Sequence, residues 1–293
     1  MIDAFALLHG EFLTDGIREH LHQKTITVCR AILESTEPIP LIGWELVENS
    51  RSPLDFEYYF VLFVRGFLDR SVTPFQRFVI ELAFLQKLQQ QLPPSTKQNK
   101  SNTCFVTVGA LIQRRLTSLL VQVAPKYHSV IFELALHAEP SLRDMWQTAF
   151  RGAASCARVI QASMQLSDVR IHFATIAEDV MNGIDLFVVH PKTRTGLAIS
   201  VKTGNGMTCP MTARVLINPP IEADGCFGDT QKVFKGTLYA NQLTHHIHFT
   251  ACLVHVGRWR THWTYDLRCY PEDVACLSNA FIQLEQDQKQ LAA

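Results

Sequence analysis

Apolar residues recur at helical spacing through the first half of the chain and at every second position beyond it. The segments "AFALLHGEFLTDGIREHL" and "TITVCRAILEST" show the helical spacing first. "SPLDFEYYFVLFVRGFLDR" opens with Ser52 as a cap, Pro53 at the first helical position and Asp55 in the first turn. "TPFQRFVIELAFLQKLQQQ" repeats this arrangement with Thr73, Pro74 and Glu81. From Leu92 to Thr103 the chain is polar, holds two prolines and has no apolar period, which predicts a linker. Helices are predicted again in "GALIQRRLTSLLVQVA" and "SVIFELALH". In "SLRDMWQTAFRGAASCARVIQASM", Trp146, Phe150, Ala153, Ala157, Ile160 and Met164 follow one another at alternating steps of four and three, one continuous helical face. Gly152, Ala153 and Ala154 would let that helix lie close to a sheet.

Past this helix the period becomes two. "VRIHFATI" alternates Val169, Ile171 and Phe173 against Arg170, His172 and Ala174, a half-buried strand. "AEDVMNG" holds Asn182-Gly183, a tight-turn dipeptide. "IDLFVV" and "GLAISVK" read as two further strands, separated by a turn over Pro191 to Gly196. An irregular stretch follows. "HFTACLVHVGRW" and "HWTYDL" are later strand candidates. "PEDVACLSNAFIQLEQ" closes the chain as a helix, with Glu272 and Asp273 in its first turn and Val274, Leu277, Phe281 and Leu284 as its stripe. This order predicts an α/β or α+β fold: a helical N-terminal region over 1–95, a linker and connecting helices over 96–140, and a third region over 141–293.

Composition changes this picture little. The chain of 293 residues is 47% hydrophobic and 18% charged, enough apolar content for a sizeable core. Its formal net charge is +0, so any nucleic-acid surface would be a local patch. The 8 cysteines form no CxxC pair, which argues against a zinc ribbon or a disulfide scaffold and for reduced thiols. No signal-peptide pattern and no bilayer-length apolar run is evident, so a cytoplasmic protein without a membrane partner is expected.

The chemistry sits in the predicted hairpin "GIDLFVVHPKTRTGLAISVK". A turn centred between Thr193 and Arg194 sets Asp185 opposite Lys202, Phe187 opposite Ser200 and Val189 opposite Ala198 on one face. Leu186 and Val188 then meet Val201 and Ile199 on the other, an apolar packing face. A slip of one residue would push Lys202 into that apolar layer. The plain alternative is a structural Asp–Lys pair worth little. The chemical alternative is phosphodiester hydrolysis, where a divalent ion held by carboxylates polarises the phosphate and a lysine orients the attacking water.

The helix, then "AEDVMNGID", then the hairpin ending "ISVK" resemble the PD-(D/E)xK nuclease superfamily, whose restriction-endonuclease-like core is a mixed sheet flanked by helices in the order αβββαβ. The resemblance covers roughly Ser141 to the C-terminus and makes 141–293 a nuclease-like domain. It implies a Mg²⁺- or Mn²⁺-dependent endonuclease acting on DNA. Asp185 matches the motif aspartate, Gly183-Ile184 precede it as in many members, and Lys202 matches the motif lysine. Val201 would offer its carbonyl to the metal. Ser200 stands where the second acid is expected, so Glu178 and Asp179 become the candidates to complete the metal's charge. The departure at Ser200 keeps a second possibility, a catalytically inactive DNA-binding or assembly subunit on the same fold.

Three other features stand out. "GRWRTHWTYDLR" interleaves cations with rings, and Arg258 and Arg260 are candidates for phosphate contact. "THHIHF" sets His246 and His248 on one strand face without a third ligand at a helpful spacing. "KTGNGMTCP" after Lys202 reads as a flexible loop. The N-terminal helices could bind a partner protein or mediate a homodimer.

Overall fold

The computed structural model describes residues 103–122, 143–207, 211–217, 227–244, 246–258 and 269–292. The helices predicted over 1–95, the linker, the "SVIFELALH" helix, the "HWTYDL" strand, His245 and Arg260 lie outside the described residues. Two compact units divide the chain, Met1–Ala153 and Ala154–Ala293. The described elements are α1 (Thr103–Gln122), α2 (Arg143–Met164), β1 (Arg170–Phe173), α3 (Ile176–Asn182), β2 (Leu186–His190), β3 (Thr195–Met207), β4 (Thr212–Leu216), α4 (Phe227–Leu243), β5 (His248–Arg258) and α5 (Pro271–Ala292). No described helix is long and apolar enough to cross a membrane.

In the first unit, α1 buries Leu111, Ile112, Leu116 and Leu120, and Phe150 and Ala153 of α2 are fully enclosed. Gly152 lies against the Gln113 side chain, whose end would have to swing aside for a methyl group at 2.6 Å.

The second unit is a mixed five-stranded sheet in the order β1-β2-β3-β5-β4. The meander β1–β2–β3 is antiparallel, β3 and β5 run parallel, and β4 pairs antiparallel with β5. Strands β2, β3 and β5 are buried on both sides, which is why they read as near-continuous apolar runs. One face holds Phe187, Val189, Ala198, Phe249, Ala251 and Leu216, packed with Val233 and Ala240 of α4. The rings of Phe187 and Phe249 lie 4.9 Å apart. Gly196 makes room for Phe249, whose ring a Cβ there would meet at 2.8 Å.

On the opposite face, Ser155 of α2 hydrogen-bonds Thr203 of β3 at 3.0 Å. Arg158 of α2 reaches Asp273 of α5 through two hydrogen bonds, Nε to Oδ2 at 2.6 Å and Nη2 to Oδ1 at 2.8 Å. The same carboxylate accepts from Tyr270 N at 3.0 Å and Met211 N at 3.3 Å. Asp273, predicted as a first-turn acid, is thus a buried ion-pair partner with 0% exposure.

Four sequence expectations are corrected. Gly183 is not the second residue of a hairpin turn: it ends α3 in the left-handed region, φ 64° and ψ 26°. Its N–H donates to Asp179 O and the next one to Glu178 O, the double closure common at helix ends. The "irregular stretch" contains both β4 and α4. "KTGNGM" continues β3 to Met207, with a register irregularity between Thr203 and Met207, in place of a loop. The hairpin register is also moved by two residues. Leu186 pairs with Ile199, Phe187 with Ala198 and His190 with Thr195. The turn is shorter than predicted, Pro191 to Arg194, because Arg194 takes φ 55° and Thr193 Oγ1 contacts Thr195 Oγ1 at 2.7 Å and His190 Nδ1 at 3.2 Å. A shift of two preserves every face, so Asp185, Ser200 and Lys202 still share one.

Candidate functional site

Extending the observed register by one rung sets Asp185 across from Ser200, with Lys202 one step further along the same face. The end of α3 delivers Asp185 there. Thr175 caps this helix by accepting from Glu178 N at 3.2 Å, while Glu178 Oε2 accepts from Thr175 N at 2.6 Å, a reciprocal capping box. Lys232 of α4 donates to Val180 O at 2.7 Å and satisfies a carbonyl of the last turn.

Helix α4 approaches α3 closely at Gly236, where a Cβ would stand 2.4 Å from the Asn182 Cβ. Gly236→Ala is therefore expected to cost about 2 kcal/mol, the usual scale of overpacking, because the clash is between two main-chain-anchored atoms. Urea unfolding of the full chain measures it. A loss below about 0.5 kcal/mol would mean that the two helices separate freely at this point.

Asp185 itself sits where β2 gives out. Its N–H donates to Ile199 O at 2.8 Å, and its Oδ2 accepts from Val201 N at 2.7 Å. The carboxylate stands in for a strand carbonyl and completes the edge of β3. It is nevertheless an uncomfortable place for charge. Burial, and then repulsion from Asp179, push the Asp185 carboxyl up to about 7, against the Val201 N–H bond and the positive charges of Lys202 and Lys232.

Facing Asp185, Ser200 is fully enclosed. Its Oγ is the one buried side-chain polar atom among the described residues without a hydrogen-bond partner. Such a group costs free energy unless something outside the fold satisfies it. Lys202 Nζ lies 3.3 Å from Asp229 Oδ2 in the first turn of α4.

The predicted site residues are thus divided. Asp185, Asp179, Ser200, Val201 and Lys202 gather around the ends of β2 and β3. Glu178 is held in the capping box with Thr175. Lys232 and Asp229 were missed, because the helix that carries them was not recognised. Their signal was the i, i+3 spacing of an acid and a lysine between Phe227 and Leu243. Arg258 ends β5. His246 and His248 are both exposed at the start of β5, away from Asp185.

The donor set suits some ions better than others. No group of three or more His, Cys, Asp or Glu side chains among the described residues is placed to hold a metal. Magnesium binds through one or two carboxylates and keeps waters, and two mutually repelling acids beside an orphaned hydroxyl fit that requirement. No protein-family model matches the chain, and no curated protein or solved structure matches it either.

Proposed function

We propose that the second unit is a Mg²⁺-dependent endonuclease that hydrolyses DNA phosphodiester bonds on a restriction-endonuclease-like core. One observation carries the reading. Asp185, half-buried, feels the repulsion of a second acid, Asp179, and the positive charges of two lysines, Lys202 and Lys232. Acids held in this way recur where a fold binds a cation or moves a proton. The element order supports it: α2, β1, β2, β3, α4 and β5, with β3 parallel to β5, follows αβββαβ once α3 and β4 are set aside as additions.

Asp185 and Asp179 would hold the ion, with the Val201 carbonyl beside them. A divalent ion bound there supplies polarisation of the phosphate and a more acidic water. Lys202 orients the attacking water and offsets developing negative charge. Ser200 Oγ offers a hydrogen bond to a water or phosphate oxygen, which relieves its isolation.

The test is cleavage of duplex DNA by the purified full chain with Mg²⁺ or Mn²⁺. Asp185→Ala and Lys202→Ala are each expected to lower the rate at least about 100-fold. Metal-dependent cleavage that survives both substitutions sinks the proposal.

A second reading rests on Ser200 and Glu178, a serine where an acid is expected and an acid spent on a helix cap. They favour a catalytically inactive DNA-binding or assembly subunit on the same fold. DNA binding with no cleavage, and no Mn²⁺ binding by calorimetry, would select it over the first.

A further inference from the structure

We infer that Asp229 is a positioning residue that draws the Lys202 ammonium away from Asp185 and so keeps the acid pair open to a cation. This rests on the metal-binding reading of the site. Lys202 ends a flexible four-carbon stem, and two acids compete for it: Asp185 and Asp229. Asp185 is half-buried and Asp229 is exposed, so an ion pair with Asp185 would be the stronger electrostatically, and it would occupy the position a metal needs. The structure instead pairs Lys202 Nζ with Asp229 Oδ2, at 3.3 Å.

Asp229 wins through where it is anchored. It lies in the first turn of α4, where the helix end favours a carboxylate. The helix is fixed to the sheet at its far end, where Asn241 accepts from Phe249 N at 2.7 Å and donates to Phe249 O at 2.8 Å. Midway, Gly236 backs onto Asn182. One turn beyond Asp229, Lys232 is tied to Val180 O and adds positive charge beside Asp185 without pairing to it. The helix therefore sets the charge pattern over the acids. One side chain on it removes a lysine from them, and another supplies a lysine held at a fixed place.

The two partners of this pair keep 33% and 54% of their side-chain exposure, so the pair contributes little to the fold and its loss can be read in function. Calorimetry with Mn²⁺ on the full chain tests the inference. Asp229→Asn, which keeps size and removes charge, is expected to weaken Mn²⁺ binding about tenfold, because Lys202 then settles on Asp185. In a Lys202→Ala background the same Asp229→Asn change is expected to alter affinity by less than about twofold, and Asp229→Glu to keep most of it. Equal Mn²⁺ affinity in wild type and Asp229→Asn overturns this inference while leaving the metal site standing. An equal loss in both backgrounds overturns it too, since Asp229 would then act on the ion without Lys202. Absence of Mn²⁺ binding by the wild type overturns both.

Discussion

Asp273→Ala is expected to lower stability by about 3–5 kcal/mol, the cost of breaking an enclosed ion pair from one side. Arg158 and Asp273 keep only 5% and 0% of their side-chain exposure. The carboxylate accepts four hydrogen bonds, two from the guanidinium and two from the main-chain N–H groups of Tyr270 and Met211. Alanine removes the carboxylate that faces the guanidinium and orphans an enclosed N–H at Met211. The face of the Tyr270 ring, 5.2 Å from the guanidinium carbon, is still there for the arginine. Asp273→Asn should cost less, since the amide oxygen still accepts. Replacing both partners with leucine or methionine should recover most of the loss, because the double change removes charge and counter-charge together. Chemical denaturation of the three variants gives the comparison. If Asp273→Ala costs under about 1 kcal/mol, the pair does not join α2 to α5 as described.

Asp185→Asn is expected to stabilise the protein increasingly as pH rises from about 4, with the full gain reached above about 7. Burial pushes the folded carboxyl up to about 7 from its ordinary 3.8. Below pH 4 both states carry the proton and the group is neutral in stability. Between roughly 4 and 7 the unfolded chain gives up the proton first, so stability falls as pH rises. Above about 7 the penalty is complete. At 1.36 kcal/mol per unit, its ceiling is roughly 4 kcal/mol. Asparagine removes the charge, and its Oδ1 can still accept from Val201 N. Thermal unfolding at pH 8 should therefore show a higher midpoint for the variant, and at pH 4 no difference. Millimolar Mg²⁺ at pH 8 should raise the wild-type midpoint and leave the variant unmoved, because only the carboxylate gains a partner. A variant that is less stable than wild type at pH 8 would mean that the carboxylate is worth more as the edge of β3 than it costs as a buried charge.

The sequence showed this charge without showing its setting. Alternating apolar positions identified β1, β2 and β3, and their parity put Asp185, Ser200 and Lys202 on one face, a conclusion that withstood a shift of two residues. The spacing of Val274, Leu277, Phe281 and Leu284 located α5. Helix α4 escaped because its enclosed face is Thr230, Val233, Gly236, Thr237 and Ala240. Small and polar side chains there allow close approach to α3 and the sheet, and they erase the apolar stripe by which a helix is recognised. Strand β4 escaped because it is an edge: Thr212 and Arg214 face out and only Val215 and Leu216 are well enclosed. The role of Glu178 was legible in principle, since Thr175 and Glu178 have capping-box spacing. Asp185's neighbours on α4 were not, because they come from a segment far along the chain.

That distance also sets an order of events. Strands β1, β2 and β3 are joined by short connections and can pair early. Thr195 meets His248 only after β4 and α4 have been threaded between them, a long closure that slows folding. The acids are therefore assembled with the meander, and Asp229 and Lys232 arrive only when α4 docks. A chain caught between these steps holds Asp185 and Ser200 in place while Lys202 lacks its partner, so this charge pattern is the last feature that the unit completes.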